Sequence, residues 1–236
     1  MFKKIIRRVE DLLSPSAVSR PADKPKHKSV VSIYKEQTGN GLFTTIFNKG
    51  HYGEFSSYGK LAKLPGYHRA LFNIYIPSGK ERTTEIDLVY LHETGIYVIE
   101  SKNYSGWIFG DEKSQKWMQT FPNGHKFSFY NPIKQNIGHI KALRALLPSI
   151  ETAHFTSVIV FSERCELKKV TCDAKDTYVI KRNRLSKLME QQIQNSPNIL
   201  EATYIDKIYS FLSQYQKVDK SVKEEHIGKI EGKFPR

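Results

Sequence analysis

The stretch TEIDLVYLHETGIYVIESKNYSG, residues 84–106, decides how this chain is read. Its apolar residues alternate on either side of HETG, the pattern of two strands joined by a tight turn. A turn centred on Glu93 and Thr94 pairs Asp87 with Glu100, Glu85 with Lys102, Val89 with Val98 and Leu91 with Ile96. Residues two apart on a strand share a face, so these eight occupy one side. Ile86, Leu88 and Tyr90 fall on the other, opposite Ser101, Ile99 and Tyr97. Both sides are mainly apolar, which puts the pair inside a sheet rather than at its edge.

Directly opposed residues hold their Cβ atoms about 4.5–5.5 Å apart. Two ionised carboxylates at that separation repel, and burial sharpens the repulsion. A hard cation between Asp87 and Glu100 relieves it; so does a proton on one acid, or an ion pair with Lys102. Mg²⁺ suits the first arrangement, because it takes oxygen ligands and is often held by one or two carboxylates plus a phosphate. The plainer alternative is a structural ion-pair cluster at a sheet end. A register slip of one residue would put Asp87 and Glu100 on opposite faces.

Outward from the hairpin, RALFNIYIP (69–77) reads as a strand and GEFSSYGKLAKL (53–64) as a helix. GWIFG, KWMQTF and KFSFY read as short strands, FTSVIVFS (155–162) as a central one and TYVIK (177–181) as another. NPIKQNIGHIKALRALL opens with Asn131 as N-cap and Pro132 at the first helical position. Its expected buried stripe is Ile133, Ile137, Ile140, Leu143, Leu146 and Leu147. Two further helices, RLSKLMEQQI and LEATYIDKIYSFLSQYQ, follow. Mixed helices and strands predict an α/β class with a central sheet covered on both faces.

The expected division is a basic amphipathic helix over 1–13, a linker over 14–40, one domain over 41–215 and a polar tail over 216–236. Phe2, Ile5, Ile6, Val9, Leu12 and Leu13 recur at helical spacing, with Lys3, Lys4, Arg7 and Arg8 opposite them. Such a helix suits an anionic membrane surface, a partner protein or the body of the chain itself. SPSAVSRPADKPKHKS (14–29) has linker composition.

With 236 residues, 39% of them hydrophobic, the chain supports one sizeable core. A net charge of +13 favours polyanions, nucleic acid before an anionic membrane. Two cysteines without a CxxC spacing suit a reducing compartment, and no run reaches the length of a membrane span, so a cytoplasmic protein is expected. There is no HExxH, GxSxG, GxGxxG or complete P-loop.

Asp87 and, after twelve intervening residues, Glu100-Ser101-Lys102 resemble the PD-(D/E)xK nuclease signature. With GEF (53–55), KWMQT (116–120) and FYNPIKQNIGHIKAL (129–143), the ordered set resembles the NERD, or nuclease-related, domain from about Gly53 to Leu147. The resemblance implies a restriction-endonuclease-like core, a central mixed β-sheet flanked by helices on both faces. It implies Mg²⁺- or Mn²⁺-dependent hydrolysis of phosphodiester bonds, DNA in preference to RNA. In that scheme Asp87, Glu100 and the Ser101 backbone carbonyl hold the metal, and Lys102 positions or deprotonates the attacking water. Glu54 matches the early helix acid and Gln135 the helix glutamine near a positive helix end.

Lys181, Arg182 and Arg184 of KRNR, with Asn103, are candidate nucleic-acid contacts, or else charges in solvent. Tyr104, Trp107 and Trp117 are stacking candidates or core residues. The other functional class is a catalytically silent nucleic-acid-binding or adaptor module that keeps the fold. The intact Asp87, Glu100, Lys102 set favours the enzyme.

Overall fold

The structure, a computed structural model, describes residues 29–40, 49–79 and 82–216. The helix expected over 1–13 and the tail from 217 onward lie outside the described residues. Five α-helices are described: α1 (Val30–Thr38), α2 (Lys49–Leu61), α3 (Pro132–Leu146), α4 (Leu185–Asn195) and α5 (Ala202–Ser213). The strands are β1 (His68–Pro77), β2 (Thr83–His92), β3 (Gly95–Lys102), β4 (Gly106–Asp111), β5 (Lys116–Thr120), β6 (Lys126–Tyr130), β7 (Phe155–Phe161), β8 (Cys165–Thr171) and β9 (Thr177–Lys181). None of the described helices is long and apolar enough to cross a membrane.

A five-stranded mixed sheet, ordered β1-β2-β3-β7-β9, forms the centre. β1, β2 and β3 run antiparallel in turn, whereas β3, β7 and β9 run parallel. The hairpin register matches the sequence reading at Leu88↔Ile99, Val89↔Val98, Tyr90↔Tyr97 and Leu91↔Ile96. One face packs on α3 and α5 through Ala142, Leu143, Ile205 and Ile208, with Val89 and Val98 beneath them. The opposite face packs on α1, α2 and α4 through Tyr34, Tyr58, Leu61, Leu185 and Met189. The expected α/β sheet flanked on both faces is therefore the architecture.

Four differences from the sequence reading have physical causes. The strands form two sheets, the second ordered β6-β5-β4-β8. Strand β8 was not expected, because its alternation is broken where Lys168 is squeezed out by a bulge against Ile108 and Phe109. The expected 14–40 linker contains α1, capped by Ser29, whose Oγ accepts the Ser32 N–H at 3.1 Å. Val30, Ile33 and Tyr34 of this helix face the core, a helical spacing easily lost after a Pro- and Ser-rich run.

The third difference lies in the hairpin itself. Ile86 packs with Val89 and Leu91, not with Leu88 and Tyr90. On β1 likewise, Leu71 and then Ile74 share one core while Phe72 enters the other. Both strands turn over at Asn73 and Asp87, where Asn73 takes a φ of 48°, a left-handed conformation that asparagine tolerates. The last difference is the roll of α3. Ile137 is 49% exposed, while Asn136 and His139 point inward. Asn136 Nδ2 donates to the Val98 carbonyl at 2.8 Å and to Ser157 Oγ at 2.9 Å, and those bonds fix the roll.

The second sheet is anchored by Trp117, stacked parallel to Phe161 with 6.0 Å between ring centroids. Gly110 lies so close to the Trp117 ring that a Cβ would overlap its carbons. Gly110→Ala is expected to cost about 1–3 kcal/mol by overpacking. Gly59→Ala, in α2 with nothing within 4 Å of the added carbon, is expected to gain about 0.5–1 kcal/mol. Thermal melts of the two variants should move in opposite directions.

Candidate active site

The parallel strands β3, β7 and β9 end on one edge of the central sheet, the edge at which open α/β sheets bind ligands. Lys102, Phe161 and Lys181 form one row across it. Strand β2 reaches this edge from the other direction, and its ladder with β3 stops at Leu88↔Ile99, one step before Asp87. The Asp87 side chain then takes over from the backbone: Oδ2 accepts the Ser101 N–H at 2.7 Å. The turnover at Asn73 and the open ladder together leave room for side chains from both sheet faces to meet here.

From the α3 side come Gln135 and His139. Glu100 is 2% exposed; its Oε1 lies 2.7 Å from Lys102 Nζ. Its Oε2 accepts no hydrogen bond; its neighbour there is His139 Nδ1 at 3.4 Å, an ion-pair distance when that imidazole is protonated. Lys102 Nζ donates to Gln135 Oε1 at 3.0 Å. From the α2 side comes Glu54, whose Oε2 accepts the Tyr34 hydroxyl at 3.2 Å. The expected cluster of Asp87, Glu100, Lys102, Gln135 and Glu54 is thus brought together, with the Ser101 N–H bonded to Asp87.

Glu85 does not face Lys102, because β2 has already parted from β3. Its Oε1 instead accepts the Tyr75 hydroxyl at 2.6 Å. Arg182 differs too: expected as a phosphate contact, it is 1% exposed, and its Nη1 lies 3.2 Å from Glu163 Oε2. Its Nη2 and Ser101 Oγ both crowd the position a Cβ on Gly53 would take, so glycine lets α2 approach β3. Lys181 is half-buried and Arg184 exposed. Asn103 accepts from Arg164 Nη2 through its carbonyl at 2.9 Å and Oδ1 at 3.1 Å. The sequence reading passed over His139, Asn73, Tyr34 and Tyr75. The position of His139 four residues after Gln135, on the same helix face, was the available signal for it.

The electrostatics are those of a site with too few positive charges. Burial, then the Glu100 and Glu54 charges, push the Asp87 carboxyl well above its ordinary range; Lys102 and the Ser101 N–H only partly offset this. Burial also lifts Glu54 to about 7; its bonds to Asn73 and Tyr34 oppose that, while the Glu85 and Glu100 charges add to it. Lys102 moves the other way, to about 12: burial opposes its charge, but Glu100, Tyr104 and Asp87 outweigh burial. Its ammonium is therefore protonated at neutral pH.

Carboxyls raised in the folded state stabilise it below their unfolded pKa and lose that contribution as pH climbs through the folded value. For Glu54 the window runs from about 4.5 to about 7, and Asp87 acts in the same direction. Lys102 contributes fully below its ordinary 10.5 and does not intrude on this window. The melting temperature is expected to fall between pH 5 and pH 8, and the fall should be smaller in Glu54→Gln. An equal slope in both proteins would show that Glu54 is not a source of it.

Among the described residues, no three His, Cys, Asp or Glu side chains converge into a ready metal cage. Two carboxylates and a backbone carbonyl match what Mg²⁺ uses when waters and a phosphate complete its shell. Glu100 Oε2, which accepts no hydrogen bond, and the raised Asp87 carboxyl are chemically suited to a cation.

The nuclease-related domain (NERD) family model matches residues 49–162, which include every member of this cluster. An uncharacterized protein of Bacillus anthracis, pXO1-01, is 33% identical over 189 residues, 80% of this chain and 86% of that protein. A crystal structure of AF1548, a protein of unknown function, covers 78% of this chain and 97% of its own at 11% identity, with a TM-score of 0.31.

Proposed function

The chain belongs to the nuclease-related domain (NERD) family, and from that premise we propose that it is a metal-dependent nuclease that hydrolyses phosphodiester bonds, DNA in preference to RNA. The observation that carries this reading is the buried Glu100 with an unsatisfied carboxylate oxygen, beside a strongly raised Asp87. A purely structural ion-pair cluster would be expected to give that oxygen a hydrogen bond, and His139 Nδ1 at 3.4 Å makes none.

Asp87 and Glu100, with the Ser101 carbonyl, would hold Mg²⁺ or Mn²⁺. When bound, the metal polarises a phosphoryl oxygen and acidifies a water. Asp87 keeps its carboxylate aimed by accepting the Ser101 N–H. Lys102, protonated and held by Glu100 and Gln135, would orient the attacking water and offset charge on the phosphate rather than remove a proton. Gln135 fixes the ammonium near the first turn of α3. Glu54, its carboxyl lifted to about 7 by burial, offers a further acidic group on the α2 side. Free Cys165 and Cys172 accord with a reducing, cytoplasmic setting.

Incubation with supercoiled DNA, linear single-stranded DNA and RNA, in Mg²⁺, Mn²⁺ or EDTA, tests this reading. Cleavage of DNA that EDTA abolishes is the expected result. Intact substrates in both metals would favour the silent binding module.

A further inference from the structure

We propose that the outer face of the second sheet is a stacking platform for unpaired nucleic acid, so that the substrate strand reaches the site single-stranded. This inference rests on the nuclease reading above. Along β4, Ile108 is buried, while its neighbours Trp107 and Phe109 are only partly covered and belong to none of the three cores. The register puts Trp107 beside Thr120 and Phe109 beside Met118, which is 37% exposed. The same alternation sends Trp117 and Leu167 inward, which separates the two tryptophans: Trp117 is core and Trp107 is not.

The face is cationic as well as aromatic. Lys116, Lys126 and Lys169 share it by register and are exposed. Lys168, squeezed out by the bulge, holds its Nζ 5.7 Å from the Trp107 ring centroid. Two acids temper this charge. Glu166 pairs with Lys168 at 2.7 Å, and Asp111 is occupied by the backbone N–H groups of Lys113 and Ser114. Aromatic rings interleaved with lysines match the two halves of a single strand, base faces that stack and phosphates that need neutralising. A duplex keeps its base faces hidden and cannot use the rings. The described helices pack principally on the central sheet and on one another. The platform's first strand also adjoins the site along the chain: β4 follows Lys102 after three residues, and Ser162 fastens the junction by bonding the Lys102 and Tyr104 carbonyls.

The chain has two tryptophans, and Trp117 is buried, so a change in emission reports Trp107. The experiment is a fluorescence titration of the full chain in EDTA with a short oligothymidylate and with a duplex of equal length. Expected are quenching by the single strand and about tenfold or greater loss of affinity in Trp107→Ala. Lys126→Ala and Lys169→Ala should each lower the single-strand salt slope by about 0.7. Unchanged affinity in Trp107→Ala, or a preference for the duplex, would overturn the platform. So would a Trp107 shielded from acrylamide in the free protein, the sign of a face covered by another segment or a second copy. Since no cleavage is needed, the readings separate. Single strands bound through Trp107 but never cut would uphold the platform and end the nuclease reading; unchanged binding and cutting by Trp107→Ala would do the reverse.

Discussion

Lys102→Met is expected to destroy cleavage and, without metal, to destabilise the fold by about 3–5 kcal/mol. Both effects follow from the ion pair between Nζ and Glu100 Oε1 at 2.7 Å. Glu100 is 2% exposed, so the variant leaves an almost fully buried carboxylate with its main counter-charge gone. A methionine fills the volume, so packing loss is not the cause. Mn²⁺ should recover most of the lost stability, because a cation at Asp87 and Glu100 replaces the missing charge, while cleavage stays lost. Calorimetric melts with and without Mn²⁺, beside a cleavage assay, check all three statements. A variant that still cuts would remove Lys102 from the mechanism.

Asp87→Ala separates in the opposite way: activity should fall by about 10³-fold or more, with little change in melting temperature. The loss of the Ser101 N–H acceptor costs stability, about 1–3 kcal/mol for a buried donor left bare. The relief of a buried carboxylate beside Glu100 and Glu54 acts in the opposite direction at pH 8 and offsets that loss. The balance shifts with pH, so the variant should be relatively most stable at alkaline pH and least stable near pH 5. A large loss of stability at pH 8 would mean that Asp87 serves mainly as a backbone acceptor.

Much of this site was legible in the chain. The alternation around HETG carries the hairpin register, and the register brings Asp87, Glu100 and Lys102 to one end of it. Asn131 and Pro132 mark the start of α3, which delivers Gln135 to Lys102. What was not legible depends on single backbone or packing choices that periodicity averages away. One left-handed residue, Asn73, turns two strands over, sends Ile86 to the other core and gives Glu85 to Tyr75. The roll of α3 is set by two hydrogen bonds of Asn136, which a count of apolar residues cannot weigh against Ile137. Arg182 looked like a surface cation because its neighbours in KRNR are polar; only the fold shows it beneath Gly53.

The most direct test of the central claim is Mn²⁺ titration of the wild type and Asp87→Ala by calorimetry at pH 8, where competition from protons on Asp87 and Glu54 is weaker than in acid. A bound Mn²⁺ in the wild type that Asp87→Ala abolishes is the predicted result. Equal binding by both proteins, or none by the wild type, would contradict it and leave Glu100 and Lys102 as an ion pair that closes the end of the sheet.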